Sequence, residues 1–137
     1  MRTFFDSSAL AKRYVAETGT PLVLQLCSQA QEIVVAIIIV PELISAFNRL
    51  RREGKLLDPD YRFVKAELAA DVAVATVVEL TPSVVASAID CLGRFPLRAM
   101  DALHLGAAIT AGAQRFVSGD QRQCQAARSL GMLVEQV

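Results

Sequence analysis

Thr3-Phe4-Phe5-Asp6-Ser7-Ser8-Ala9-Leu10 holds the transition that decides the fold. A short run of large apolar residues stops at an acid and two serines, and a helical stretch follows from Ala9 to Glu17. Asp6 or Ser7 is the candidate N-cap, because a short polar side chain can satisfy the free N–H groups of a first helical turn. The same alternation repeats along the chain. Thr20-Pro21 opens a helix with Thr20 as cap and Pro21 at the first helical position. Glu32 to Ala36 is a strand rich in Val and Ile. Pro41-Glu42 starts a helix whose Leu43, Ala46, Phe47 and Leu50 share one face. Further helices are expected over 60–74, from Pro82 to about Gly93, over 98–111 and over 121–130. Further strands are expected over 76–80, 115–118 and 132–134.

Strand following helix from end to end predicts an α/β fold: a central parallel sheet of four to five short strands with helices on both faces. The 137 residues contain no linker, internal repeat or low-complexity tract and read as one domain, 1–137. With 53% hydrophobic residues, the chain can bury a core and is not disordered. Fourteen basic residues balance fourteen acidic ones, so no net field draws in nucleic acid or membrane. Cys27, Cys91 and Cys124 are odd in number and widely spaced, which argues against a disulfide framework or zinc ribbon and fits a cytoplasmic location. The longest apolar run, Ile33 to Val40, is far short of the roughly 20 residues of a membrane span. No stretch reads as a targeting signal.

Four acids stand where solvated surface charges are not expected. Asp6 follows the first strand, and Asp120 follows the fourth. Ligands of open α/β sheets bind beyond the carboxyl ends of strands where the strand order reverses, so both acids face one crevice if those strands are neighbours. Glu42 lies in a first helical turn, and Asp101 lies in the apolar helix Ala99-Met100-Asp101-Ala102-Leu103-His104-Leu105. Gathered carboxylates repel one another, and a hard divalent cation relieves the repulsion. Each also has a plain structural reading. Asp6 and Asp120 serve as caps, and Glu42 as a first-turn carboxylate favoured by the helix dipole.

At these residues the sequence resembles the PIN domain, in particular the VapC-type toxins of toxin–antitoxin pairs. The resemblance spans essentially the whole chain. It rests on Phe4-Phe5-Asp6-Ser7-Ser8-Ala9-Leu10, Pro41-Glu42-Leu43-Ile44-Ser45-Ala46, the block from Arg98 to Ala108, and Phe116-Val117-Ser118-Gly119-Asp120. It implies a PIN-like three-layer α/β/α fold and a Mg²⁺- or Mn²⁺-dependent endoribonuclease acting as a toxin. Asp6, Glu42, Asp101 and Asp120 become its acidic quartet, with Asp6, Asp101 and Asp120 holding metal and Glu42 a water or second metal. Ser8, Ser118 and His104 support them from behind. Relatives often carry another acid shortly after the position of Asp120, where Gln121 and Gln123 stand here.

The resemblance also implies RNA as substrate, a VapB-like antitoxin as partner and a homodimer. A housekeeping PIN nuclease or a non-catalytic binding module are the alternatives. Lys12, Arg13, Arg49, Arg52 and Arg98 are candidate phosphate contacts, though solvated helix faces account for them as well. Tyr14 and Phe47 read as core, and Asp90 as exposed or paired with an Arg.

Overall fold

The computed structural model describes residues 1–137. Five strands and seven helices alternate: β1 Arg2–Phe5, α1 Ser7–Tyr14, α2 Thr20–Gln29, β2 Glu32–Ala36, α3 Ile39–Arg52, α4 Asp58–Val74, β3 Thr76–Val78, α5 Pro82–Arg94, α6 Ala99–Thr110, β4 Arg115–Ser118, α7 Gln121–Ser129 and β5 Leu133–Gln136. The strands form one sheet in the order β3-β2-β1-β4-β5, and every pairing is parallel. The expected α/β architecture is therefore present. The chain builds outward from β1 through β2 to β3, then returns to the other side of β1 for β4 and β5. The order reverses between β1 and β4, which pair Phe4 with Phe116 and Phe5 with Val117.

Alternation along β1 makes the three layers. Phe4 and Phe5 point to opposite faces, as successive strand residues must. Phe4 joins Val34, Phe116, Leu105 and Cys91 in a core under α5, α6 and α7. Phe5 joins Val35, Val117, Leu43, Phe47 and Leu68 in a core under α1 to α4. The small residues of α6 serve close approach. A Cβ on Gly106 would lie 2.6 Å from the Val84 carbonyl oxygen of α5, so only glycine allows this helix crossing.

Differences from the expected elements are local. α1 begins at Ser7 rather than Ala9, because the Asp6 side chain accepts from the Ala9 N–H and starts the helix early. It ends at Tyr14, short of Glu17. Gly19, not Thr20, caps α2, and the Thr20 hydroxyl instead donates to the Lys12 carbonyl. α3 starts at Ile39, so Pro41 lies inside the first turn, where its missing N–H costs no helix bond. The third strand stops at Val78, two residues early, while β5 runs on to Gln136. All three cysteines are free. No helix is long and apolar enough to cross a membrane.

Candidate active site

The switch point between β1 and β4 sets the site. Asp6 is the first residue past β1, and its own N–H still bonds the Val117 carbonyl of β4. Its side chain is 1% exposed. Oδ1 accepts from the Ala9 N–H at 2.9 Å and from the Ser8 hydroxyl at 2.8 Å. Oδ2 accepts from the Ser118 hydroxyl at 2.6 Å. Asp6 thus caps α1 while standing at the switch point of the sheet, so the capping role does not remove it from the crevice. Burial pushes its carboxyl up, and the bonds from Ser118, Ala9 and Ser8 together with the nearby His104 only partly offset this.

Ser118 also receives the Asp120 N–H at 2.9 Å, tying the second acid to the first. Asp120 caps α7, accepting from the Arg122 N–H at 2.8 Å and the Gln123 N–H at 3.4 Å. Glu42, in the first turn of α3, accepts at Oε1 from the Ser7 hydroxyl at 2.8 Å and meets His104 Nε2 at 2.5 Å. That contact requires the proton of His104 at Nε2, and Nδ1 is buried without a partner. Burial opposes ionisation of Glu42, but the His104 bond and charge and the Ser7 bond outweigh it, so the carboxyl lies below the ordinary glutamate range.

Asp101 lies on α6 one turn before His104. One side chain supports it, Gln123, whose Nε2 donates to Oδ1 at 3.0 Å. Its carboxyl is raised, first by burial and then by the charges of Asp120, Asp6 and Glu42. The four acids therefore share one electrostatic neighbourhood. None of them is paired with a Lys or Arg; His104 on Glu42 is the one basic contact. No three His, Cys, Asp or Glu side chains close around a common point as a finished metal shell would. The donor chemistry nonetheless suits a hard cation, being carboxylate oxygen throughout, mutually repelling and backed by hydroxyl and amide donors.

Ser8 and Ser118 lie against Asp6, and His104 lies against Glu42. Two contacts escaped the sequence reading: Ser7 on Glu42 and Gln123 on Asp101. The serine run after Asp6 was the available hint for the first. The candidate phosphate contacts divide. Arg13 is held by Asp71 through Nε at 2.7 Å and Nη2 at 3.1 Å, and Lys12 bonds the Thr18 carbonyl at 2.9 Å, so internal partners already engage both. Arg49, Arg52 and Arg98 are exposed and form no ion pair, with Arg98 capping the helix that carries Asp101. Tyr14 and Phe47 pack edge to face at 5.8 Å, as core. Asp90 faces Arg94 at 3.5 Å. A cleft of about 480 Å³ opens between α1, α2, β2 and the end of α4, lined by Leu10, Arg13, Cys27, Glu32 and Asp71, and contains none of the four acids.

Comparison with known proteins follows this geometry. The PIN domain family model matches residues 3–129. The chain is similar to VapC20 of Mycobacterium tuberculosis, described as a sarcin-ricin loop cleaving toxin, with a TM-score of 0.71, 17% identity and 96% of each chain covered. It is similar to FitAcB of Neisseria gonorrhoeae, with a TM-score of 0.70, 14% identity, 96% of this chain and 95% of that chain covered. It is also similar to VapBC2 of Rickettsia felis bound to a promoter DNA fragment, with a TM-score of 0.69, 10% identity, 100% of this chain and 99% of that chain covered. A comparison with curated proteins gave no sequence match. The family model covers nearly the whole chain and the solved structures share its three layers: the protein belongs to the PIN domain family.

Proposed function

We propose that the protein is a divalent-metal-dependent endoribonuclease and the toxin of a toxin–antitoxin pair. The observation that carries this reading is Asp101, a half-buried carboxylate in the company of three other acids and matched by no Lys or Arg; burial first, then Asp120, Asp6 and Glu42 raise it against the His104 charge. Such a group stores repulsion that a cation from solution would relieve. Asp6, Asp101 and Asp120 would hold that cation. When bound, Mg²⁺ or Mn²⁺ supplies positive charge against the scissile phosphate and makes a water acidic enough to attack it.

The chain's own residues do the rest. Ser8, Ser118 and the Ala9 N–H fix Asp6 so that it needs no reorganisation on binding. Ser7 and His104 occupy Oε1 of Glu42 and keep it charged, leaving Oε2 to accept a hydrogen bond from a water and aim it at phosphorus. Arg98, exposed at the head of α6, is suited to meet a flanking phosphate. Hydrolysis by water leaves a 5′-phosphate and a 3′-hydroxyl. An antitoxin partner belongs to the same proposal and is supported by the likeness to VapBC and FitAB complexes; an antitoxin tail across the acids and a homodimer are what the family resemblance implies. A cytoplasmic location follows from an RNA substrate and three free thiols.

The test is cleavage of a mixed structured RNA by purified protein with Mg²⁺, with Mn²⁺ and with EDTA, alongside an identically purified D101N. Metal-dependent cutting lost in D101N is expected. Equal cutting by both proteins would refute the site.

A further inference from the structure

Gln123 is a neutral residue of α7 that touches two of the four acids. It is 2% exposed. Its backbone N–H donates to Asp120 Oδ1 at 3.4 Å, and its side-chain Nε2 donates to Asp101 Oδ1 at 3.0 Å. No other residue hydrogen-bonds to both carboxylates. Its Oε1 is buried with no hydrogen-bond partner. An amide oxygen stripped of water and left unpaired destabilises a fold. A methionine of similar length would fill the same space without that cost. Turning the amide over does not help, because it would set oxygen against carboxylate oxygen, two acceptors facing each other. What the glutamine adds at this position is the N–H on Asp101.

We propose that Gln123 is a positioning residue that straps Asp101 to Asp120 and leaves Asp101 one oxygen, Oδ2, to offer a ligand. This rests on the reading of the site as a cation-binding nuclease centre. The strap fixes the spacing between a carboxylate on α6 and one at the head of α7. It also stops Asp101 from rotating to present either oxygen in turn, so Asp101 engages a cation at one point. Partners that orient a ligand in this way typically contribute 10–100-fold to metal affinity.

The test compares wild type, Q123M and Q121M, the last on the exposed side of the same helix. Mn²⁺ affinity is measured by calorimetry, and Tm without metal by thermal melting. In Q123M, Mn²⁺ affinity falls about 10-fold or more while Tm stays level or rises, because the orphaned oxygen leaves with the strap. Q121M changes neither. In wild type, the Gln123 side-chain amide resonances shift when Mg²⁺ is added. Equal Mn²⁺ affinity in Q123M and wild type, or amide resonances indifferent to Mg²⁺, would overturn the strap alone. A fall in affinity with a matching fall in Tm would make Gln123 a packing residue and overturn it too. A wild type that takes up no Mn²⁺ overturns the metal reading itself, and the strap with it.

Discussion

Asp71 and Asp101 are both half-buried aspartates, and their carboxyls shift in opposite directions. At Asp71, burial opposes ionisation, but bonds from Arg13 and from the Tyr14 hydroxyl at 2.7 Å, with the Arg13 charge, outweigh it. At Asp101, burial is joined by Asp120, Asp6 and Glu42, and only the Gln123 amide donates to it. Burial is common to both, so company makes the difference. The matched acid ties α1 to α4. The unmatched acid sits beyond the carboxyl ends of the inner strands β1 and β4, where the strand order reverses, and has no Lys or Arg to meet its charge.

Exchanging the charge at each place breaks the comparison. On the proposed function, Asp101→Asn should lower RNA cleavage by at least about 100-fold, since it removes a proposed ligand of the cation. Asp71→Asn should leave the cleavage rate within about twofold. Next in size is stabilisation by the cation. At about 100 times its dissociation constant, Mn²⁺ should raise wild-type stability by about 2.7 kcal/mol, as mass action requires. Thermal melts should show that gain lost in D101N and kept in D71N. Without metal, D71N should lose about 1 kcal/mol, the scale of a partly exposed ion pair screened by solvent, whereas D101N should match or exceed wild type.

The pH dependence gives the smallest effect and the sharpest sign. Asp6 and Asp101 are held above the ordinary aspartate range, so the folded state binds their protons more tightly than the unfolded chain does. Their contribution to stability grows as pH falls from neutrality through those raised values toward about 3.9. Asp71 is held below that range, so its contribution is present above about 3.9 and is lost as pH falls through its lowered value. Denaturant titrations of metal-free protein should show D101N without part of the gain above pH 4. D71N should lack part of the decline below it.

Much of this arrangement was legible in the chain. β2 lies within a Val- and Ile-rich run, and β4 is a short apolar run that stops at Gly119-Asp120; local composition decides such strands. Asp6 and Asp120 were readable because a strand that stops at an acid before a helix is a local pattern. Asp101 was conspicuous as a charge on an otherwise apolar helix. Gln123 was noted only as a missing acid, since nothing near it in sequence says that its amide reaches Asp101 from another helix. The Arg13–Asp71 pair, 58 residues apart, was missed for the same reason. Both depend on how helices settle against the sheet, not on their own periodicity. Arg13, a candidate phosphate contact or a solvated helix-face charge on sequence alone, is instead engaged by an internal carboxylate.

The bond between Ser118 and Asp6 joins residues 112 apart. Asp6 and Ser8 emerge early in synthesis, but the strand that closes the sheet beside β1, and the helix that brings Asp120 and Gln123, follow much later. Domains complete their packing only once such distant pieces have left the ribosome. A nascent chain therefore has the first acid without its partners. If the protein cuts RNA as proposed, the growing polypeptide is harmless to the messenger and ribosome that make it until β4 and α7 have been translated.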